Sequence, residues 1–203
     1  MATALPIAII AFLLGSIPTG YLVGKLHGVD IRTQGSGNTG ATNAVRVLGK
    51  KAGLITLFCD VFKGVVAVWL GYLFPNTVGP LSEHDFAAAL GVIALFGHCY
   101  SPFLNFKGGK GVATGCGVFW VVAPFQTSIA MAIFGMVLKA TRYVSLSSIC
   151  AAISIPLLLF FSQESANNRI VAILASITAA LIVLRHKDNI KRLSAGKEPK
   201  FKK

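Results

Sequence analysis

Charge is missing from most of this chain. Of its 203 residues, 1–24, 64–82, 86–106, 111–138 and 143–163 hold no Asp, Glu, Lys or Arg, and 170–184 is a shorter run of the same kind. Such runs are too long and too many for the core helices of a water-soluble domain. A bilayer core of roughly 30 Å asks for about 20 apolar residues per helix. Lipid offers no partner to a bare backbone, so each run is expected to be helical, and no alternating pattern of barrel strands is present. No basic residue precedes the first run, which therefore reads as a retained span and not a cleaved leader. Cys59, Cys99, Cys116 and Cys150 form no C-x-x-C pair, so neither a disulfide framework nor a zinc knot is indicated. Four separated histidines and few carboxylates make a catalytic divalent cation unexpected, and no metal or other cofactor is assigned.

What charge there is carries one sign. Nineteen Lys and Arg face seven Asp and Glu, a balance common in nucleic-acid binders. Here the basic residues sit in the gaps between apolar runs, which points to a polytopic membrane protein and gives no reason to expect nucleic acid. The run 111–138 could be one long helix or two short ones parted near Pro124. Two helices give seven spans, at about 3–25, 52–74, 85–103, 111–123, 125–140, 144–162 and 168–185. One face then gathers Lys25, Arg32, Arg46, Lys50, Lys51, Lys107, Lys110, Lys139, Arg142 and the basic residues from Arg185 onward. The opposite face holds Arg169 with Glu83, Asp85 and Glu164. One long helix would instead put the basic tail opposite the basic first loop. The positive-inside rule selects seven spans, with the N-terminus extracytoplasmic, the C-terminus cytoplasmic, and two short central helices. The expectation is one all-α integral membrane domain over residues 1–203.

Four polar segments fall on the basic face. The first reads Gly35-Ser36-Gly37-Asn38-Thr39-Gly40-Ala41-Thr42-Asn43 and then Arg46. It matches G-x-G-x-x-G literally, but no βαβ unit surrounds it, so a dinucleotide fold is discounted. Its glycines permit positive φ and let backbone N–H groups converge on an anion, while Arg46 can grip a phosphate with two parallel bonds. The second runs from Gly97-His98 to Lys107-Gly108-Gly109-Lys110-Gly111, a phosphate cradle opening a helix, although not a Walker A loop. The third is Val144-Ser145-Leu146-Ser147-Ser148, where Ser147 and Ser148 read as helix caps. The fourth is Arg185-His186-Lys187-Asp188-Asn189 with Glu198 beyond, and His186 and Asn189 share a helical face if the last span extends. Asp60 and Lys63, three apart within the second span, must pair with each other or face the polar site.

These segments call for phosphorylated ligands. No G-x-S-x-G elbow is present, and no His is followed five residues later by Asp, which removes the His-x-x-x-x-Asp pair of many acyl-CoA-dependent acyltransferases. An organophosphate transporter would share basic, glycine-rich loops, but no internal repeat is visible and the motifs crowd one face. A lipid-binding scaffold would explain the basic tail and leave residues 35–46 without a purpose.

Three stretches in order carry a resemblance: Gly-Ser-Gly-Asn-x-Gly-Ala-Thr-Asn-x-x-Arg from Gly35, Gly-His to Phe-Lys-Gly-Gly-Lys-Gly-Val-Ala-Thr from Gly97, and Arg-His-x-x-Asn-Ile-x-Arg-Leu from Arg185. With these, the chain resembles the bacterial acyl-phosphate:glycerol-3-phosphate acyltransferase family (PlsY type) from Gly15 to Glu198. The resemblance implies transfer of a fatty acyl group from acyl phosphate to the sn-1 hydroxyl of glycerol 3-phosphate, releasing lysophosphatidic acid and inorganic phosphate. This is the first acylation of phospholipid synthesis. It also implies a multi-pass protein of the bacterial cytoplasmic (inner) membrane, functionally linked to the enzyme that makes acyl phosphate. Read with the chemistry, it assigns Ser36, Arg46, His98, Lys107, Ser145, His186 and Asn189 to catalysis. Phosphate falls to Gly37, Asn38, Thr42, Asn43, Arg46, Lys107, Gly108, Gly109, Lys110 and Gly111, with support from Asp60, Lys63 and Glu198. For the general base, His98, His186, Asp60 and a substrate phosphate oxygen all stand open.

Overall fold

Two compact units divide the chain, one ending at Val121 and the other beginning at Val122. The computed structural model describes residues 4–74, 81–162 and 169–201, so Glu164, Lys202 and Lys203 fall outside it. Every regular element among the described residues is helical. The first unit holds α1 (Ala4–Ser16), α2 (Thr19–Leu26), α3 (Ala41–Leu48), α4 (Lys50–Leu73), α5 (Glu83–Cys99) and α6 (Val112–Val122), which ends at the boundary. Two single 3-10 turns, Ile31–Thr33 and Pro102–Leu104, lie in its polar segments. The second unit holds α7 (Pro124–Thr141), α8 (Val144–Phe160), α9 (Arg169–Arg185) and α10 (Lys187–Ser194).

From Leu54 onward the exposed side chains of α4 are large and apolar, while the buried ones are mostly polar or small. Leu54, Phe58, Phe62, Trp69 and Leu73 are exposed, while Thr56, Asp60, Lys63, Gly64 and Ala67 are buried. A helix of a water-soluble protein is patterned the other way, and this inversion is what lipid as solvent demands. Without a hydrophobic drive between helices, close backbone contact must hold them together. Where α4 crosses α6, a Cβ on Gly64 would strike the Thr114 carbonyl and one on Gly117 would strike that of Val61. In the second unit α7 packs on α8, and α8 on α9.

The charge-free runs become helices close to the expected bounds, and 111–138 is two helices, parted at Ala123 before Pro124. By length and composition, α4 and the stretch Glu83–Leu104 suffice to cross a membrane; α6 and α8 are apolar but shorter. Two further crossings follow if the bent pairs α1–α2 and α9–α10 each count as one. The first bend interrupts the single span expected over 3–25, while α9 ends at Arg185, the bound expected for the last span. The first run breaks by 41° between Ser16 and Thr19, where Pro18 supplies no N–H to continue the ladder. The last run does not extend straight through Asn189, because α9 stops at Arg185 and α10 leaves at 58°.

Candidate active site

In the first unit, residues 34–40 form an irregular loop tied by one buried side chain. Asn43, in the first turn of α3, accepts from Ser36 N–H at 2.8 Å through Oδ1. Its Nδ2 faces the carbonyls of Ile31, Gln34 and Asn38 at 3.2, 3.1 and 2.9 Å. Gly35 and Gly37 take φ of 61° and 69°, the left-handed conformation expected of them. Asn38 Oδ1 accepts from Gly40 N–H at 2.8 Å and so fixes the entry to α3. Ser36, Thr42 and Arg46 are exposed around this loop. Asn43 thus shapes the segment with the same amide the sequence assigned to phosphate.

The second polar segment folds back on the helix before it. Asn105 and Phe106 both have positive φ, 51° and 60°, a conformation that costs a bulky residue about 1–3 kcal/mol. Phe106 N–H donates to the Ser101 carbonyl at 2.9 Å, and the chain then returns along α5. Gly108 N–H donates to the Cys99 carbonyl at 3.1 Å and Gly109 N–H to that of His98 at 3.0 Å. These two amides, expected to cradle an anion, cap the C-terminal end of α5 instead. Their glycine identity follows from crowding: a Cβ on Gly108 would meet the His98 carbonyl, and one on Gly109 the His98 ring. Lys107 is exposed and Lys110 half-buried, with Gly111 at φ 83° just before α6.

Behind these segments lies buried charge. Lys63 Nζ stands 2.8 Å from Asp60 Oδ1, and the same oxygen is 3.6 Å from His98 Nδ1, an electrostatic contact and not a hydrogen bond. Lys63 also donates to the Ile17 carbonyl at 3.1 Å. Ser101 Oγ donates to the Ser16 carbonyl at 2.6 Å. Both carbonyls belong to the break between α1 and α2. The first segment reaches the same region, since a Cβ on Gly20 would strike the Thr39 carbonyl. Both polar segments of this unit therefore reach the break between α1 and α2, the first through Thr39 at Gly20 and the second through Ser101 at Ser16.

The second unit builds a carboxylate clasp. Glu198 Oε1 accepts from Ser145 Oγ at 2.7 Å and from Asn189 Nδ2 at 2.6 Å, while Oε2 accepts from Arg192 Nε at 2.7 Å. Burial pushes the Glu198 carboxyl up, but the bonds from Asn189, Ser145 and Arg192 outweigh it and hold the group below its ordinary value. His186 is buried, with Nδ1 2.7 Å from the Ile182 carbonyl. The segment beyond α10 is held to the α7–α8 turn, where Phe201 N–H donates to the Arg142 carbonyl at 2.8 Å. Ser147 and Ser148 do not cap α8: each bonds back to a carbonyl four residues earlier, Tyr143 and Val144, both at 2.8 Å. Sequence reasoning missed Arg192 and Ser101. Arg192 stands three residues past Asn189 on the same helical face, a signal hidden by the general basicity of the tail. Ser101 meets a carbonyl 85 positions away, which no local pattern announces.

Residues 5–196 match a family model described as glycerol-3-phosphate acyltransferase. The glycerol-3-phosphate acyltransferase of Trichlorobacter lovleyi is 46% identical over 192 residues, covering 95% of this chain and 94% of its own. That of Staphylococcus carnosus is 46% identical over 197 residues, covering 96% of each chain. Two crystal structures of PlsY, an integral membrane glycerol 3-phosphate acyltransferase, are similar to this fold at 40% identity, covering 98% of this chain and 96% of theirs. The glycerol 3-phosphate form aligns with a TM-score of 0.88 and the lysophosphatidic acid form with 0.86.

Proposed function

The chain belongs to the glycerol-3-phosphate acyltransferase family, and we propose that it moves a fatty acyl group from acyl phosphate to the sn-1 hydroxyl of glycerol 3-phosphate. The carbonyl carbon forms a bond to the sn-1 oxygen, the bond to the phosphate oxygen breaks, and the hydroxyl proton passes to a base. Lysophosphatidic acid and inorganic phosphate leave. Acyl phosphate is a mixed anhydride with a good leaving group, so covalent catalysis has little to add. The task is to hold two anions side by side. Two unit charges 4 Å apart repel by about 4 kcal/mol at an effective dielectric of 20, which fixed cations must offset.

The observation that carries this reading is that both basic, glycine-rich segments reach the α1–α2 break, through Thr39 at Gly20 and Ser101 at Ser16. Arg46, Lys107 and Lys110 neutralise phosphate there, with Ser36, Gly37, Asn38, Thr42 and Gly111 supplying neutral donors. Asn43, Gly108 and Gly109 hold the segments in shape. Asp60, already paired with Lys63, orients and does not accept the proton. Ser145, His186 and Asn189 orient glycerol 3-phosphate or its attacking hydroxyl, with Ser145 and Asn189 steadied by Glu198. The chain crosses the bacterial inner membrane seven times, N-terminus outside, with this chemistry on the cytoplasmic face. The acyl tail stays in lipid, and the donor comes from an enzyme that makes acyl phosphate.

The test is a purified assay in which palmitoyl phosphate, palmitoyl-CoA and the palmitoyl thioester of acyl carrier protein are offered separately with glycerol 3-phosphate. Lysophosphatidic acid forms with palmitoyl phosphate alone. Comparable turnover with either thioester overturns the donor assignment.

A further inference from the structure

We propose that the buried Asp60–Lys63 pair is a positioning device: it pins the proline break between α1 and α2 and, through His98, sets the seat of the Lys107–Gly111 loop. The proposal deepens the acyl-transfer reading and rests on it.

The break creates a need. In a continuous helix the carbonyls of Ser16 and Ile17 would accept from Gly20 and Tyr21; at the break the Ile17 carbonyl accepts instead from Thr19 N–H at 3.0 Å. At membrane depth such carbonyls must find partners within the protein. Ser101 takes the first at 2.6 Å and Lys63 the second at 3.1 Å. A neutral hydroxyl therefore serves one carbonyl, yet a full cation stands at the other, to which Thr19 N–H already donates.

Energetics argue against stability as the reason for that cation. A lysine at a helix centre in the bilayer costs roughly 2.5–3.5 kcal/mol on insertion scales. A buried ion pair is commonly no more stabilising than apolar side chains of the same volume. Lys63 is 5% and Asp60 2% exposed, so bulk water contributes little to either. The pair supplies something a hydroxyl lacks: a fixed carboxylate facing an imidazole. The oxygen that binds Lys63 is 3.6 Å from His98 Nδ1, so the charge on Lys63 sets where the carboxylate sits, and the carboxylate sets the imidazole.

From His98 the effect reaches the loop directly. Its carbonyl accepts from Gly109 N–H, and its ring occupies the space a Gly109 side chain would need. The turn of the ring and the path of Lys107–Gly111 are thus one variable. Asp60 and Lys63 touch no substrate in this account. They act by placing His98 and, through it, the two lysines.

The decisive variant is Asp60→Asn/Lys63→Met in the full-length enzyme, because it removes both charges and strands neither. With acyl phosphate and glycerol 3-phosphate, kcat falls at least tenfold, while KM for glycerol 3-phosphate stays within twofold and the unfolding midpoint within a few degrees. A kcat within twofold of the parent, or a KM rising as steeply as kcat falls, overturns the proposal. A measurement on the parent enzyme guards against a double variant that does not fold. In 15N-histidine-labelled protein, the His98 ring carries its proton on Nδ1, facing Asp60; a neutral ring protonated at Nε2 alone overturns the proposal just as firmly. That signature needs no acyl donor. Should a thioester prove to be the donor, the kinetic arm runs with it, so failure of the donor assignment and failure of the positioning role are separate results.

Discussion

At the scale of single residues, the contacts separate exposed groups proposed to grip substrate from buried groups that hold the loops in place. Arg46 is exposed beside the Asn43-tied loop, and a hydrogen bond to a charged group contributes about 1.5–3 kcal/mol. Arg46→Ala should therefore raise the KM for one of the two phosphate substrates roughly 10- to 150-fold in steady-state assays, with the unfolding midpoint unchanged. Unaltered kinetics would remove Arg46 from the site. Glu198 behaves differently. Its folded-state pKa lies below the ordinary 4.5, so its contribution is complete above that value and is lost as pH falls through the folded pKa. Glu198→Gln should lower the unfolding midpoint at pH 7 by roughly 3–6 °C, the equivalent of about 1.5 kcal/mol. The gap to the parent should close below pH 4.5, and a gap that persists in acid would show that the charge of Glu198 is irrelevant to the clasp. Asn189 was singled out from type and spacing, and it is bonded to Glu198. Arg192 and Ser101 were not, because a side chain's partner across the fold leaves no local mark.

At the scale of elements, the polar segments owe their shape to bonds that look wasteful from sequence. The glycine-rich loop before α3 is held by the buried Asn43 amide, with one bond accepted and three carbonyls faced. Asn43→Asp keeps the acceptor for Ser36 N–H and destroys the donor. Hydrogen exchange at residues 34–38 should then speed up at least tenfold and activity should fall with it. Exchange unchanged from the parent would mean the loop is held by its own backbone. The segment before α6 follows the same logic: Gly108 and Gly109 spend their amides on the end of α5, and the proposed phosphate contacts there rest on Lys107 and Lys110. A glycine run in sequence announces an unusual backbone path. It does not say whether an anion or a helix end will claim the N–H groups, since both ask for the same donors.

At the scale of the whole molecule, the large exposed apolar side chains and the charge buried on α4 identify lipid as the solvent, and sidedness is the property that the proposed function depends on. Single cysteines placed near residues 40 and 108 in an otherwise cysteine-free enzyme should react with a membrane-impermeant maleimide only from the cytoplasmic side. Labelling of the two from opposite sides would end the proposal of a shared phosphate site. The sequence by itself determined the helical runs and the split before Pro124, because hydrophobic length is a local quantity that acts through the bilayer alone. Only the tertiary structure decided that the first run breaks at Pro18 with Lys63 and Ser101 donating to the carbonyls of Ile17 and Ser16, and that Glu198 joins Ser145 to Asn189. Those outcomes are agreements between residues far apart in the chain. A buried donor or acceptor takes whichever partner packing brings within about 3 Å, and packing is a property of the assembled fold.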